Sequence, residues 1–190
     1  MRTIIPTQAT LVPAHAKCVF KGEIFEVYQW PETMFDGTTA TFEMLRRDDS
    51  VEVLVVHDNK LLVQKQEQPH IGHFYSFPGG RHDHDGETEI EGCMRELREE
   101  TGYTCHTWNL VSVLQTHPKI EAFYYLFVAT GIGEQVPQQL DAGERIENMW
   151  LSLREVQELI EKGNFRSLGH MLFEGISEAN DLLQIAPYRL

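Results

Sequence analysis

Cysteine is scarce in this chain, and positive charge is scarcer than negative. The three cysteines, Cys18, Cys93 and Cys105, form an odd, unpatterned set. Such a set argues against a disulfide framework or a cysteine-ligated zinc site and fits reduced thiols in a cytosolic compartment. Lys and Arg number 16 against 29 Asp and Glu, a formal net charge of -13. A chain this acidic lacks the clustered basic surface needed to wrap a nucleic-acid backbone. It is equally unsuited to anionic membrane surfaces. No run of about 18 apolar residues occurs, so no membrane-spanning helix is expected. The opening "MRTIIPTQATLVP" has neither the apolar core nor the small-residue cleavage site of a secretory signal. Internal repeats and low-complexity tracts are missing as well. What remains reads as a globular cytoplasmic protein of 190 residues, 42% hydrophobic and 24% charged. That length allows one domain with a sizeable core and a small accessory lobe.

The pattern along the chain is mixed α and β. "CVFKGEIFEVYQW" (Cys18–Trp30) is rich in β-branched and aromatic residues, and Asp36-Gly37 marks a turn before "TTATFEML". Two Val/Leu-rich runs then flank Asp58-Asn59, a second expected hairpin. "TWNLVSVLQT" and "EAFYYLFVATG" read as further strands. In "SLREVQELIEKGNF", Ser152 and Glu155 have capping-box spacing, and Gly163 can end the helix. A last helix is expected from about Ser167 to Leu183. The charged "RRDDS" suggests a division into an N-terminal β lobe, 1–48, and a second domain, 49–190.

One stretch is crowded with glutamate: "GGRHDHDGETEIEGCMRELREETGY", Gly79 to Tyr103. Thr88 and Glu91 fit a helix-start capping box and Gly102 a left-handed stop, so the helix should run from about Glu89 to Thr101. On a helical wheel, Cys93, Leu97, Ile90, Thr101 and Met94 form the expected buried face. Glu89, Glu96, Glu99 and Glu100 share the adjacent stripe beside the small Gly92, and Arg95 and Arg98 lie round the far side. Glu96 and Glu100 are one turn, about 6 Å, apart along the axis. Like charges so placed repel, more strongly near a low-dielectric wall. They can form a solvated acidic face with an Arg95–Glu99 pair. Alternatively they can gather a hard cation, for which clustered carboxylates suit Mg²⁺ or Mn²⁺.

Gly80, Glu87 and "RELREETGY" (Arg95–Tyr103), with seven residues between Glu87 and Arg95, resemble the box that defines the Nudix hydrolases. One departure is a loop of six residues, "RHDHDG", between Gly80 and Glu87, where the family has five. The likeness extends through roughly Asp48 to Gly163. It implies an α/β (α+β) fold, a mixed sheet sandwiched between helices, here with a small N-terminal antiparallel β lobe. It also implies metal-dependent cleavage of a nucleoside diphosphate linked to another group. Carried onto this sequence, it makes Glu96, Glu99 and Glu100 metal ligands and Gly80 a carbonyl donor. Arg95 would hold a neighbouring glutamate, Glu87 would support the loop-helix, and Gly102 would end the helix.

Three features resemble the ADP-ribose pyrophosphatase branch. Pro118 stands 16 residues after Gly102. An N-terminal β lobe precedes the box, and a late acidic loop, "QLDAGERIE", precedes a strand and helix. The resemblance implies a water-activating glutamate in that loop, Glu144 first and Glu147 second. Arg46 and Arg47 are candidate phosphate partners, although "QKQEQPH" (Gln64–His70) stands where the branch often has arginines. His82 and His84 read better as a mobile polar loop than as ligands. Phe25, Tyr28 and Trp30 read better as core or dimer interface than as a base-stacking platform. The likeness implies a homodimer through the N-terminal lobe, with ADP-ribose cleaved to AMP and ribose 5-phosphate. Alternative substrates are another nucleoside diphosphate sugar, a dinucleoside polyphosphate or a nucleoside triphosphate. A non-catalytic nucleotide-binding module is the other class.

Overall fold

The computed structural model describes residues 2–189. A first sheet is built from β1 (Lys17–Lys21), β2 (Glu26–Thr33) and β3 (Thr39–Arg46), antiparallel neighbours in chain order. The Asp36-Gly37 turn joins β2 to β3, and the Asp36 carboxylate accepts hydrogen bonds from the backbone and hydroxyl of Thr38.

The second, seven-stranded sheet contains β4 (Asp49–His57), β5 (Lys60–Gln68), β6 (Gly72–Ser76), β7 (Gly79–His82) and β8 (Tyr103–Leu114). It is completed by β10 (Tyr124–Gln135) and β11 (Arg145–Leu151). The short β9 (Ile120–Glu121) crosses to the first sheet, where it pairs in parallel with β3. The seven strands run β11-β5-β4-β10-β8, with β6 on β5 and β7 on β4. Only β4 and β10 are parallel in this sheet among the described residues. Asp58 and Asn59 turn β4 into β5 with both φ angles positive, 48° and 56°, as a two-residue primed turn requires.

β4 is apolar on both faces because both are covered. Val51, Val53 and Val55 pack with Cys93 and Leu97 of α1 (Glu89–Thr101). Leu54 and Val56 pack with Leu153 and Val156 of α2 (Leu153–Glu161) and with Leu182. The mixed sheet therefore lies between α1 on one face and α2 with the C-terminal segment on the other. No helix among the described residues is long and apolar enough to cross a membrane.

Both helix starts carry the expected capping boxes, Thr88 with Glu91 and Ser152 with Glu155, and Gly102 ends α1 at φ 74°. The buried face of α1 differs from the wheel. Glu89, Gly92 and Glu100 are buried with Cys93, Leu97 and Thr101, whereas Ile90 and Met94 are exposed. The covered arc is thus turned toward the acidic stripe. Polar partners make this possible: Glu89 accepts from the backbone of Thr3 and Ile4, and Glu100 from that of Gly79.

The expected helix from Ser167 to Leu183 is not formed. Two 3₁₀ turns, Gly169–Phe173 and Ala179–Gln184, take its place. Between them Glu174 is extended and Gly175 takes φ 75°, which ends the first turn before a second could follow. The first turn is instead tied down from below. Glu52 of β4 accepts from the Ser167 hydroxyl at 2.7 Å and the Gly169 backbone at 2.6 Å.

The N-terminal segment is clamped in a similar way. Arg2 forks onto Asp49 at 2.7 and 2.8 Å and reaches Glu121 at 3.0 Å. Its guanidinium lies 4.5 Å from the centre of the Phe123 ring.

Burial pushes the Glu52 carboxyl up to about 7, against the lowering effect of Ser167 and Gly169. An acid whose folded pKa is raised contributes stability that is complete below its unfolded value. The contribution fades as pH rises through about 7. Glu52→Gln keeps an acceptor but cannot ionise. We expect its unfolding free energy to fall less than that of wild type between about pH 5 and 8, by about 2–3 kcal/mol. Denaturant titrations across that range test this, and parallel pH profiles would refute it.

Candidate active site

The acidic stripe of α1 meets β7 and the loop before β11 around a cavity of about 460 Å³. Gly80, Glu96, Glu99, Glu100, Asp141 and Glu144 line it. β7 is laid against α1 by two glycines. A Cβ at Gly79 would stand 2.2 Å from the Val51 carbonyl oxygen, and one at Gly80 would stand 2.5 Å from Glu96 Oε2. The missing side chains let the Gly80 backbone approach the Glu96 carboxylate directly.

Arg95 organises the carboxylates. Its Nε donates to Glu87 at 2.9 Å, and Nη1 donates to Glu96 at 2.8 Å and Glu99 at 3.1 Å. Nη2 donates to the Arg81 carbonyl at 3.0 Å and to Glu87 at 3.3 Å, so one planar fork ties helix, loop and β7 together. Glu100 is held elsewhere, by the Gly79 backbone at 2.9 Å and the Gln64 amide at 3.1 Å.

The loop carrying Glu144 is stitched to the last turn of α1. The Gln139 backbone donates to the Glu99 carbonyl at 2.8 Å, and the Val136 backbone donates to the Gly102 carbonyl at 2.8 Å. The Gln138 amide donates to the Glu100 carbonyl. These contacts hold Glu144 over the helix stripe. Glu144 adds to the charge felt by both Glu96 and Glu100.

Burial raises the pKa of Glu96, and the Arg95 guanidinium offsets part of this. Burial lifts Glu100 well above the usual carboxylate range, with Glu96 and Glu144 adding to the rise. Glu144 is raised by burial and by Asp141 and Glu99. The site thus concentrates anions whose repulsion a cation would relieve. Among the described residues no three His, Cys, Asp or Glu side chains stand close enough together to enclose a metal ion. The donor types nevertheless fit a hard divalent cation: carboxylates of Glu96, Glu99 and Glu100 with the Gly80 backbone against them. Asn148 adds an orphaned oxygen nearby, since its Nδ2 donates to the Glu100 carbonyl while its buried Oδ1 has no partner.

A model of the NUDIX domain matches residues 46–170. The chain belongs to the NUDIX domain family. Among similar proteins, the ADP-ribose pyrophosphatase of Bacillus subtilis (strain 168) is 26% identical over 147 residues, 75% of this chain and 79% of that protein. The methanol dehydrogenase activator of Bacillus methanolicus is 26% identical over 148 residues, 76% of this chain and 80% of that protein. The solved structure described as an ADP compounds hydrolase superposes with a TM-score of 0.70 at 19% identity, covering 90% of each chain. That likeness bears on the Nudix fold.

The residues read from the sequence are distributed unevenly. Gly80, Arg95, Glu96, Glu99, Glu100 and Glu144 face one cavity. Glu87 is gripped by Arg95, and Gly102 ends the Nudix helix. Glu147 lies outside that cavity, exposed on β11 with Lys65 at 3.7 Å. Arg46 and Arg47 line a neighbouring polar cavity of about 400 Å³ that shares Asp83 and His84 with the first. Pro118 is exposed in the turn before β9 and lines neither cavity.

His82 is not mobile loop: it ends β7, is buried, and lies 2.8 Å from the Glu87 carbonyl through Nε2. Gln64 and Asp141 were not anticipated. The signal for Gln64 is a glutamine within a Val/Leu run, where a fully buried polar side chain needs a partner.

Glu100→Gln keeps the acceptor for Gly79 and removes a poorly solvated charge. Without divalent ions at pH 7, its melting temperature should equal or exceed that of wild type. A fall of more than about 3 °C, roughly 1 kcal/mol in a chain of this size, would show that the charge itself supports the fold.

Proposed function

We propose that this Nudix hydrolase splits the pyrophosphate of a nucleoside diphosphate linked to a second group, with ADP-ribose, cleaved to AMP and ribose 5-phosphate, as the favoured substrate. The observation that carries this reading is the meeting of Glu144 with the Glu96–Glu100 stripe across one cavity. The likeness to the Bacillus subtilis ADP-ribose pyrophosphatase supports the choice of substrate.

Glu96, Glu99 and Glu100, with the Gly80 carbonyl, would hold Mg²⁺ or Mn²⁺. Such an ion supplies charge neutralisation for the pyrophosphate and a lowered pKa for water. Arg95 keeps the Glu96 and Glu99 carboxylates oriented while Glu87 fixes Arg95 from the other side. Glu144 is the group we assign to orient the attacking water and take its proton. It lies on the cavity wall, and no basic side chain is within ion-pair distance of it among the described residues. Its raised pKa favours that task, since a base with more proton affinity draws the proton off water more readily. Glu147, beside Lys65, is the weaker candidate.

The substrate's nucleoside side is assigned to the polar cavity near β3. Arg46 is engaged there by Glu121 at 3.1 Å and stacks on Tyr28. Arg47, which bonds the Asp48 carbonyl and Ser50 and lies 5.9 Å from the centre of the Phe25 ring, has no carboxylate partner among the described residues and is the freer phosphate partner. Residues 1–48 are read as the lobe that supplies these contacts and pairs two copies. Val19, Phe20, Ile24 and Phe25 are exposed on it and support that assembly.

Two outcomes test the proposal. Glu96→Gln or Glu144→Gln should lower turnover of ADP-ribose by at least about two orders of magnitude, the scale of a preorganised electrostatic contribution. Mg²⁺ should raise the melting temperature of wild type and Glu144→Gln but hardly that of Glu96→Gln. Near wild-type turnover in Glu144→Gln would remove its role as base. Light scattering at micromolar concentration should give twice the chain mass, and a monomer mass would end the pairing assignment.

A further inference from the structure

On the other side of Arg95 and Glu99, a third cavity, of about 430 Å³, opens between α1 and β8. Its character differs from that of the acidic site. Met94, Trp108, Val136 and Pro137 supply apolar wall, and Arg98 supplies a cation. Arg95, Glu99 and Gln139 belong to both walls, so the two cavities adjoin.

The indole of Trp108 is held in place. Its Nε1 donates to the Cys105 carbonyl at 3.0 Å, and its ring packs edge-on to Phe127 at 6.2 Å. The guanidinium of Arg98 has neither hydrogen bond nor ion pair among the described residues, although acidic groups outnumber basic ones 29 to 16. An exposed, unpaired arginine is ordinary surface by itself. This one stands in the wall of an indole-lined hollow that opens onto the pyrophosphatase site. The neighbouring guanidinium, Arg95, is already occupied by Glu87, Glu96 and Glu99, and that contact also offsets the charge of Glu99. Arg98 is therefore the cation left to meet an incoming anion.

We propose that this cavity is a second substrate pocket, receiving the group beyond the scissile pyrophosphate when that group joins a planar ring to a phosphate. The inference rests on the pyrophosphatase reading. A substrate with its pyrophosphate in the acidic cavity has two ends. One wall leads, through Asp83 and His84, to Arg46 and Arg47. A different wall leads to Trp108 and Arg98. A ring stacks on an indole whatever its identity, and a guanidinium fork matches phosphate oxygens in two places at once. A lone sugar would use neither feature. Beside ADP-ribose, the chain then also accepts substrates with a nucleotide at both ends, and only these draw binding energy from Trp108 and Arg98.

The probes are diadenosine triphosphate, which has a second base and an additional phosphate, and ADP-ribose, which has neither at its far end. Arg98 is exposed, so Arg98→Ala leaves packing alone. Trp108→Leu is the second variant, with its melting temperature recorded because Trp108 packs on Phe127. With Mg²⁺, Arg98→Ala should lower kcat/KM for diadenosine triphosphate at least tenfold more than for ADP-ribose, chiefly through KM. Metal-free binding of diadenosine triphosphate, followed by tryptophan fluorescence, should weaken by a similar factor. Equal losses on both substrates, or unchanged binding, would overturn the pocket while leaving the pyrophosphatase reading intact. If neither compound is cleaved, that reading fails. The binding arm then decides alone: tenfold weaker binding in Arg98→Ala keeps the pocket, and unchanged binding removes it.

Discussion

The acidic face of this protein depends on one guanidinium. Arg95 reaches Glu87, Glu96 and Glu99 and the Arg81 carbonyl from a single planar group. Three carboxylates within reach of each other would drive their side chains apart in a partly buried setting. A central cation converts that repulsion into a fixed arrangement. A lysine could not replace it, because its point charge has no fork with which to orient several partners at once. Glu100, beyond the reach of Arg95, relies on neutral donors from Gly79 and Gln64 and keeps the larger electrostatic burden.

Local rules made much of this legible in the sequence. Helix α1 has the limits expected from Thr88, Glu91 and Gly102, because caps are read from three or four neighbouring residues. The Asp58-Asn59 turn and the core run of β4 are legible for similar reasons. Family membership follows from the match over residues 46–170, and the motif around Arg95 already pointed there.

What stayed hidden depends on distant partners. The burial of Glu89 required Thr3 and Ile4, and that of Glu100 required Gly79, so hydrophobicity alone placed the covered face of α1 too far toward Ile90 and Met94. The last helix failed for the same reason. A helix was expected there, but Gly175 and the hold of Glu52 on Gly169 interrupt it. His82 looked like loop because its neighbours are polar, and only the pairing of Asp49 with His82 makes it the end of a strand.

The clamp of Arg2 has a kinetic side. Arg2 bonds to Asp49, 47 positions along the chain, and to Glu121, 119 positions along. During synthesis Arg2 emerges before either partner, but it cannot take its final seat until the strand carrying Glu121 has left the ribosome. Contacts of such sequence separation form late, because a long loop must close before they repay its entropy. Arg2 is thus made well before the contact that locks it. Until then Glu89 and Glu121, both carboxylates of the finished interior, remain open to water.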